Sequence, residues 1–259
     1  MLRSRRGLLS VAVALAVILA VPVGASANHS WNNYHWARTA NPFTIKLGNN
    51  VSGLWGGMLV TASSDWSQSS VLDTTIVAGG TSAKSCRPTA GRVEVCSANY
   101  RNTGWLGVAQ IWISSSHITQ GTVKNNDYYF GSSSYAYNNT AEMQHVICQE
   151  IGHTFGLGHT SEDGSSQNSC MDYYHNTSGS DLTSTHPNNH DYEQLATIYA
   201  HFDSTTTIGS APGSNGSAAG NDASSWGRLV AGSRTSGESV FELRTSASER
   251  VITFVIWAN

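Results

Sequence analysis

Gln149, Glu150, His153 and His159 are the residues whose types and spacing point most directly to chemistry. Two ligands four residues apart on a helix sit about 6 Å apart along its axis and on one face. Gln149 and His153 are therefore placed to reach one metal ion. Glu150 lies between them, where a carboxylate can take a proton from a water that a metal has acidified to a pKa of about 7. A catalytic zinc needs three protein ligands and one open position. The third must come from beyond the helix end; Gly156 lets the chain reverse, and His159 is the candidate.

Glutamine at the first of these positions leaves three readings open. Its amide oxygen is a neutral donor, weaker towards zinc than imidazole nitrogen. Gln149 either ligates weakly, or another residue replaces it, or the site holds metal poorly and the fold persists as a binding module. The retained Glu150 favours the first reading, because only hydrolysis needs a general base there. His145 is a poor substitute. It precedes His153 by eight residues, about 12 Å along a helix and roughly 80° around it, and reads as a helix-surface or supporting histidine. His175, His186 and His190 follow in the chain, and each taken alone reads as structural.

The elements that must position these groups can be traced by pattern. Asn139-Thr140-Ala141-Glu142 has the form of a capping box, and predicts a helix running through His153 with Met143, Ile147 and Ile151 on its core face. Before it, Phe43 to Leu47 reads as a strand, and Trp55, Met58, Leu59, Ala62 and Trp66 recur at helical spacing. Strands are expected at Val71 to Ala78, Arg92 to Ser97, Trp105 to Ser114 and Ile118 to Lys124. After it, Asp191-Tyr192-Glu193-Gln194 resembles a second capping box, continued by Leu195, Ile198, Tyr199 and Phe202 as an amphipathic helix.

Gln149 to His159 matches the long zinc-protease signature H-E-x-x-H-x-x-G-x-x-H except at its first position. With Cys170-Met171-Asp172-Tyr173 as a methionine turn, the chain resembles the metzincin clan of zinc endopeptidases, in particular its matrixin-like and astacin-like members. The resemblance covers roughly residues 40 to 203. It implies an α+β, zincin-like domain: a twisted mixed sheet, a long active-site helix, a Met-turn and a C-terminal helix. It also implies zinc held by Gln149, His153 and His159, Glu150 as general base, and Tyr173 as a second catalytic group. An extended peptide or protein substrate would lie antiparallel to the Trp105 to Ser114 strand. The expected function is a secreted zinc-dependent endopeptidase; the alternative is a catalytically impaired secreted binding module of the same fold.

Organisation along the chain fits export. Arg3, Arg5 and Arg6 precede an apolar run from Leu8 to Val23, and Ala25-Ser26-Ala27 supplies small residues, so residues 1–27 read as a signal peptide. The apolar run is shorter than the roughly 20 residues of a membrane span, and no membrane association is expected after cleavage. Residues 28–203 read as the catalytic domain and residues 204–225 as a Ser/Thr/Gly-rich linker. Residues 226–259 read as a small β appendage, with strand-like runs at Val240 to Arg244 and Val251 to Trp257. The formal charge of −3 offers no basic face for nucleic acid. Four cysteines in an exported chain imply disulfides; Cys86 with Cys96 and Cys148 with Cys170 are the suggested pairs. Glu162, Asp163 and Asp127 in loop-like stretches leave calcium open as a further cation, although no EF-hand-type loop is present. A monomer is expected.

Overall fold

A computed structural model of the protein describes residues 28–209 and 220–258. The expected signal peptide and the middle of the expected linker lie outside the described residues. In chain order the elements are β1 (His35–Trp36), β2 (Phe43–Asn50), α1 (Trp55–Trp66), β3 (Leu72–Ala78), β4 (Val93–Ala98), β5 (Trp105–Ser114), β6 (His117–Asn126), the single turn α2 (Asp127–Phe130), α3 (Thr140–His153), α4 (Asn189–Ile198), β7 (Arg228–Ser233), β8 (Glu238–Arg244) and β9 (Glu249–Trp257). The fold is α+β, built on one mixed sheet with the order β3-β2-β4-β6-β5-β9-β8-β7 and with β1 beside β6.

Strand direction divides the sheet. β2 pairs in parallel with β3 and β4, and β4 with β6. From β6 onward every neighbour along the order is antiparallel: β5, β9, β8 and β7. Alternation shows on β2, where Phe43, Ile45 and Leu47 point inward and Thr44 and Lys46 outward. β4 and β5 are buried along almost their whole length, as strands covered on both faces must be.

On one face α3 packs against β5 and β6, with α1 alongside it. Trp66, Phe155, Ile147, Ile151, Leu106 and Ile111 belong to this main core. On the other face Trp105 and Val108 of β5 meet Trp226, Phe241, Val255 and Trp257 from the C-terminal segment in a second cluster. The last strands thus continue the sheet of the main body. Two disulfides, Cys86–Cys96 and Cys148–Cys170, join the expected pairs. Among the described residues no helix is long and apolar enough to cross a membrane.

The structure departs from the sequence expectations at several points. Asn139 caps α3 through Glu142 N (2.8 Å), but Glu142 does not reach back. Its carboxylate turns instead to His175 Nδ1 (3.1 Å) and Asn176 N (2.6 Å). The capping box of α4 is centred on Asn188 with Asp191 at its third position, three residues earlier than the pattern suggested. Phe202 lies beyond the end of α4 and is exposed. α3 is buried from Ala141 to His153 on every side rather than amphipathic, because the loops after it and the C-terminal strands cover its polar face. His145 is accordingly no surface residue: it is fully buried, with Nδ1 bonded to Ser184 O at 2.7 Å.

Lys124 illustrates the cost of covering both faces. It is buried on β6 with Nζ on Asn221 Oδ1 (2.9 Å), and burial pulls its pKa down to about 8. Below pH 8 the ammonium is charged in both states and the burial penalty is constant, on the order of 3 kcal/mol. Between pH 8 and 10.5 the unfolded chain holds a proton that the folded chain has released, so stability rises with pH. Lys124→Met is expected to remove that rise, which thermal melts of the two proteins between pH 7.5 and 10 will reveal. Parallel curves would show that Lys124 keeps an ordinary pKa.

Candidate metal centre

α3 ends at His153, and the chain turns back through Gly156 at φ +94°. A Cβ there would lie 2.0 Å from Tyr34 O, so no other residue fits. The N-terminal segment straps this turn in place. Trp31 N donates to Gly156 O (2.9 Å), and Trp36 Nε1 donates to Thr154 O (2.9 Å). Ser30 forms a bridge with Leu157. The turn returns His159 to His153, with ring centroids 4.6 Å apart and planes 82° to one another.

The two imidazoles are arranged as ligands. His153 Nδ1 faces Leu157 O at 2.9 Å. A carbonyl can only accept, so the ring proton sits on Nδ1 and Nε2 presents a lone pair. Burial foremost, with His159 next, holds His153 well below the usual histidine pKa. His159 is depressed in the same direction by burial and then by His29 and His145. Burial thus disfavours a second proton on either ring near pH 7.

Gln149 is fully buried, and its Nε2 donates to Asp172 O at 2.8 Å. That acceptor sets the orientation of the amide and leaves Oε1 without a hydrogen-bond partner. Glu150 is also fully buried. The backbone N–H groups of Ala109 and Ile256 face its carboxylate, but neither oxygen has a partner at hydrogen-bonding geometry. Burial, then the charge of Glu238, pushes its pKa well up. Gly107 on β5 gives the carboxylate room: a Cβ there would come within 2.7 Å of Glu150 Oε1.

The turn at Met171 lies against the last turn of α3. A Cβ on Gly152 would meet Met171 Sδ at 2.5 Å. The Cys148–Cys170 disulfide and Thr160 N→Met171 O (2.7 Å) hold the turn there. Tyr173 sits edge-on to His159 with centroids 4.2 Å apart, its hydroxyl buried and without a hydrogen-bond partner. Burial and Glu238 raise its pKa.

One residue absent from the sequence expectation completes the group. Glu238, the first residue of β8, contacts His159 Nε2 with its carboxylate. His153, His159 and Glu238 each bring one ligand atom to within 4.8 Å of the others. Burial foremost keeps the Glu238 pKa well above normal, while His145, His175 and the Gln149 amide work against it. Phe254 of β9 stacks on His153, with centroids 4.1 Å and planes 6° apart. No signal near Glu238 could have placed it. It follows Gly237, at φ +96°, just ahead of the run from Val240 that reads as a strand, and only the sheet order carries it to His159.

The donors fit a divalent cation. Gln149 Oε1, both Glu150 oxygens, His153 Nε2 and Glu238 Oε2 are buried without hydrogen-bond donors. His153 and Glu238 converge with His159, and buried lone pairs left unpaired are costly in a protein interior. A cation relieves it, and two imidazoles with one carboxylate form a zinc-type set. The other candidates lie elsewhere: His175 on Glu142, His186 on Asp65 (2.6 Å) and His190 stacked on His29. Glu162, Asp163 and Asp127 join none of the metal-capable groups among the described residues.

β5 has no free edge. It lies between β6 and β9, and β9 runs antiparallel to it from Trp105↔Trp257 to Ser114↔Glu249. The track expected for a peptide is thus taken by the chain's own C-terminal strand. Comparison with models of known protein families gives no match, and none of the curated proteins aligns significantly with the chain.

Proposed function

We propose that the chain is a secreted, metzincin-like zinc endopeptidase held in a latent form by its own C-terminal strands. The observation that carries this reading is the Glu150 carboxylate, fully buried three residues before His153 on α3 with no side-chain partner, faced only by the backbone N–H groups of Ala109 and Ile256. A structural glutamate would be paired or hydrogen-bonded. A general base must keep its lone pairs for the substrate water.

His153 Nε2, His159 and Glu238 would hold zinc, and the unpartnered Gln149 Oε1 would be a further oxygen donor. When bound, zinc polarises a peptide carbonyl and acidifies water to a pKa of about 7. Glu150 would take the proton from the attacking water and pass it to the leaving amine. The Tyr173 hydroxyl would donate to the developing oxyanion. β5 would offer its backbone to an extended substrate once β9 is displaced.

A second reading rests on Glu238. A carboxylate as permanent ligand, together with Gln149, gives a closed four-donor set of the structural kind. The protein would then be a secreted zinc-binding module without catalysis.

Both readings require metal at His153 and His159. Chelator-stripped protein is expected to take up zinc there and to melt at a higher temperature as a result. At a thousandfold excess over Kd the stabilisation is about 4 kcal/mol. His153→Ala/His159→Ala should lose that equivalent and the associated rise in melting temperature. Equal zinc uptake by the two proteins would remove the site.

A further inference from the structure

A second convergence of ligands lies away from the central site, where β1, the β5–β6 turn and the segment after α4 meet. His35 is on β1, His117 opens β6, and His201 and Asp203 follow α4. Three imidazoles face one carboxylate oxygen. Asp203 Oδ1 is 3.5 Å from His35 Nε2, 3.1 Å from His117 Nε2 and 3.8 Å from His201 Nε2. His201 Nε2 and His35 Nε2 are 3.1 Å apart.

These separations are those of one coordination shell. Zinc bonds of 2.0–2.2 Å in a tetrahedron place neighbouring ligand atoms about 3.3 Å apart. The three edges among His35, His201 and Asp203 are 3.5, 3.8 and 3.1 Å and scatter around that value. The tautomer of His35 adds an independent argument. Its Nδ1 faces Asn33 O at 2.7 Å, so the proton resides there and Nε2 carries a lone pair when the ring is neutral. That lone pair points at a carboxylate oxygen, an arrangement of two acceptors that repels unless a cation or an additional proton lies between them.

We propose that His35, His201 and Asp203 form a second, structural zinc-type site, with His117 held on the Asp203 carboxylate beside it. Arg38 orients the carboxylate for this role. Its Nη1 and backbone N bond to Asp203 Oδ2 at 3.0 and 3.1 Å, which leaves Oδ1 to face the histidines. The guanidinium lowers the affinity for a second cation, and the two imidazole donors offset that cost. His35 and Asp203 are largely shielded, while His117 and His201 are half exposed, so an ion can enter from solvent. A metal there would clamp the N-terminal segment at His35 to the stretch after α4 at His201 and Asp203, where the chain departs towards the C-terminal strands.

The test counts zinc in the whole mature protein. Chelator-stripped wild type is titrated with zinc chloride beside His117→Gln/His201→Gln and His153→Ala/His159→Ala, with stoichiometry and melting temperature as readouts. His117 and His201 are exposed enough that their replacement should not disturb folding. The expected result is one equivalent fewer in the His117/His201 variant, with loss of its share of the zinc-dependent rise in melting temperature. The His153/His159 variant should retain that equivalent. If the His117/His201 variant binds as many equivalents as wild type and melts with the same zinc response, the cluster is a hydrogen-bonded network and the proposal is overturned. If only this equivalent is found, the central site fails and this one stands.

Discussion

Deletion of residues 226–259 is expected to convert an inert protein into an active peptidase, with Glu150→Ala abolishing the activity gained. The reason lies in what β9 covers. Ile252, Phe254, Val255, Ile256 and Trp257 are almost wholly buried, and Phe254 lies flat on His153. At 1.5–3 kcal/mol for each fully buried apolar side chain, these residues hold the strand by on the order of 10 kcal/mol. Every 1.4 kcal/mol is a factor of ten, so roughly one molecule in 10⁷ is open at any moment. Activity should therefore rise by several orders of magnitude when the strand is absent. The general base should account for roughly 10²–10⁴-fold of the resulting rate. The shortening also removes Glu238 and leaves Gln149 Oε1 as the oxygen donor, so the measurement is hydrolysis of a mixed peptide library by full-length, shortened and shortened Glu150→Ala proteins with zinc in excess. The shortened chain exposes Trp105 and Val108. Should it aggregate, Thr253→Pro in the full chain loosens the same strand by removing a backbone donor between β5 and β8. A folded, zinc-loaded protein with β9 displaced that cleaves nothing would leave the closed zinc-binding module as the function.

Glu238→Gln is expected to weaken zinc binding at the central site by roughly 100-fold or more, since it replaces an anionic ligand with a neutral one. Gln149→His in that background should recover much of the loss, because it places an imidazole one turn before His153 on the same face of α3. If Glu238→Gln binds zinc as tightly as wild type, Glu238 is only a neighbour of His159 and Gln149 Oε1 supplies the oxygen donor. The metal-free protein carries a further signature. Glu150 and Glu238 hold protons in the folded state that the unfolded chain releases near pH 4.5. The folded state binds more protons in that range, so stability should fall as pH rises above it. Zinc loading should flatten that slope, which melts of the two forms between pH 4.5 and 7.5 can check.

Local pattern carried a large part of the architecture. Helical spacing from Trp55 to Trp66 and the cap at Asn139 placed α1 and α3, because an amphipathic period and an N-cap are set by near neighbours. Strand runs at Trp105 to Ser114 and Val251 to Trp257 appear as β5 and β9 for the same reason. Less was legible where long-range burial overrides local preference. β7 is short, largely exposed and contains Gly232, and it gave no strand signal. α3 has a polar face that only its distant coverings bury.

Among the site residues, the sequence by itself determined Gln149, Glu150 and His153, whose spacing on a helix puts them on neighbouring turns, and His159, which Gly156 allows to return. Cysteine placement suggested the two disulfide pairs among three possible pairings, and the structure forms them. Tertiary structure alone decided what meets these residues. Glu238 lies 79 positions beyond His159 in the chain, and β9 takes the edge of β5 through backbone hydrogen bonds that any sequence can make. Ligand spacing within one helix is a property of the α-helix itself, whereas a fourth donor and an occupied strand edge depend on which strands pair across the whole chain.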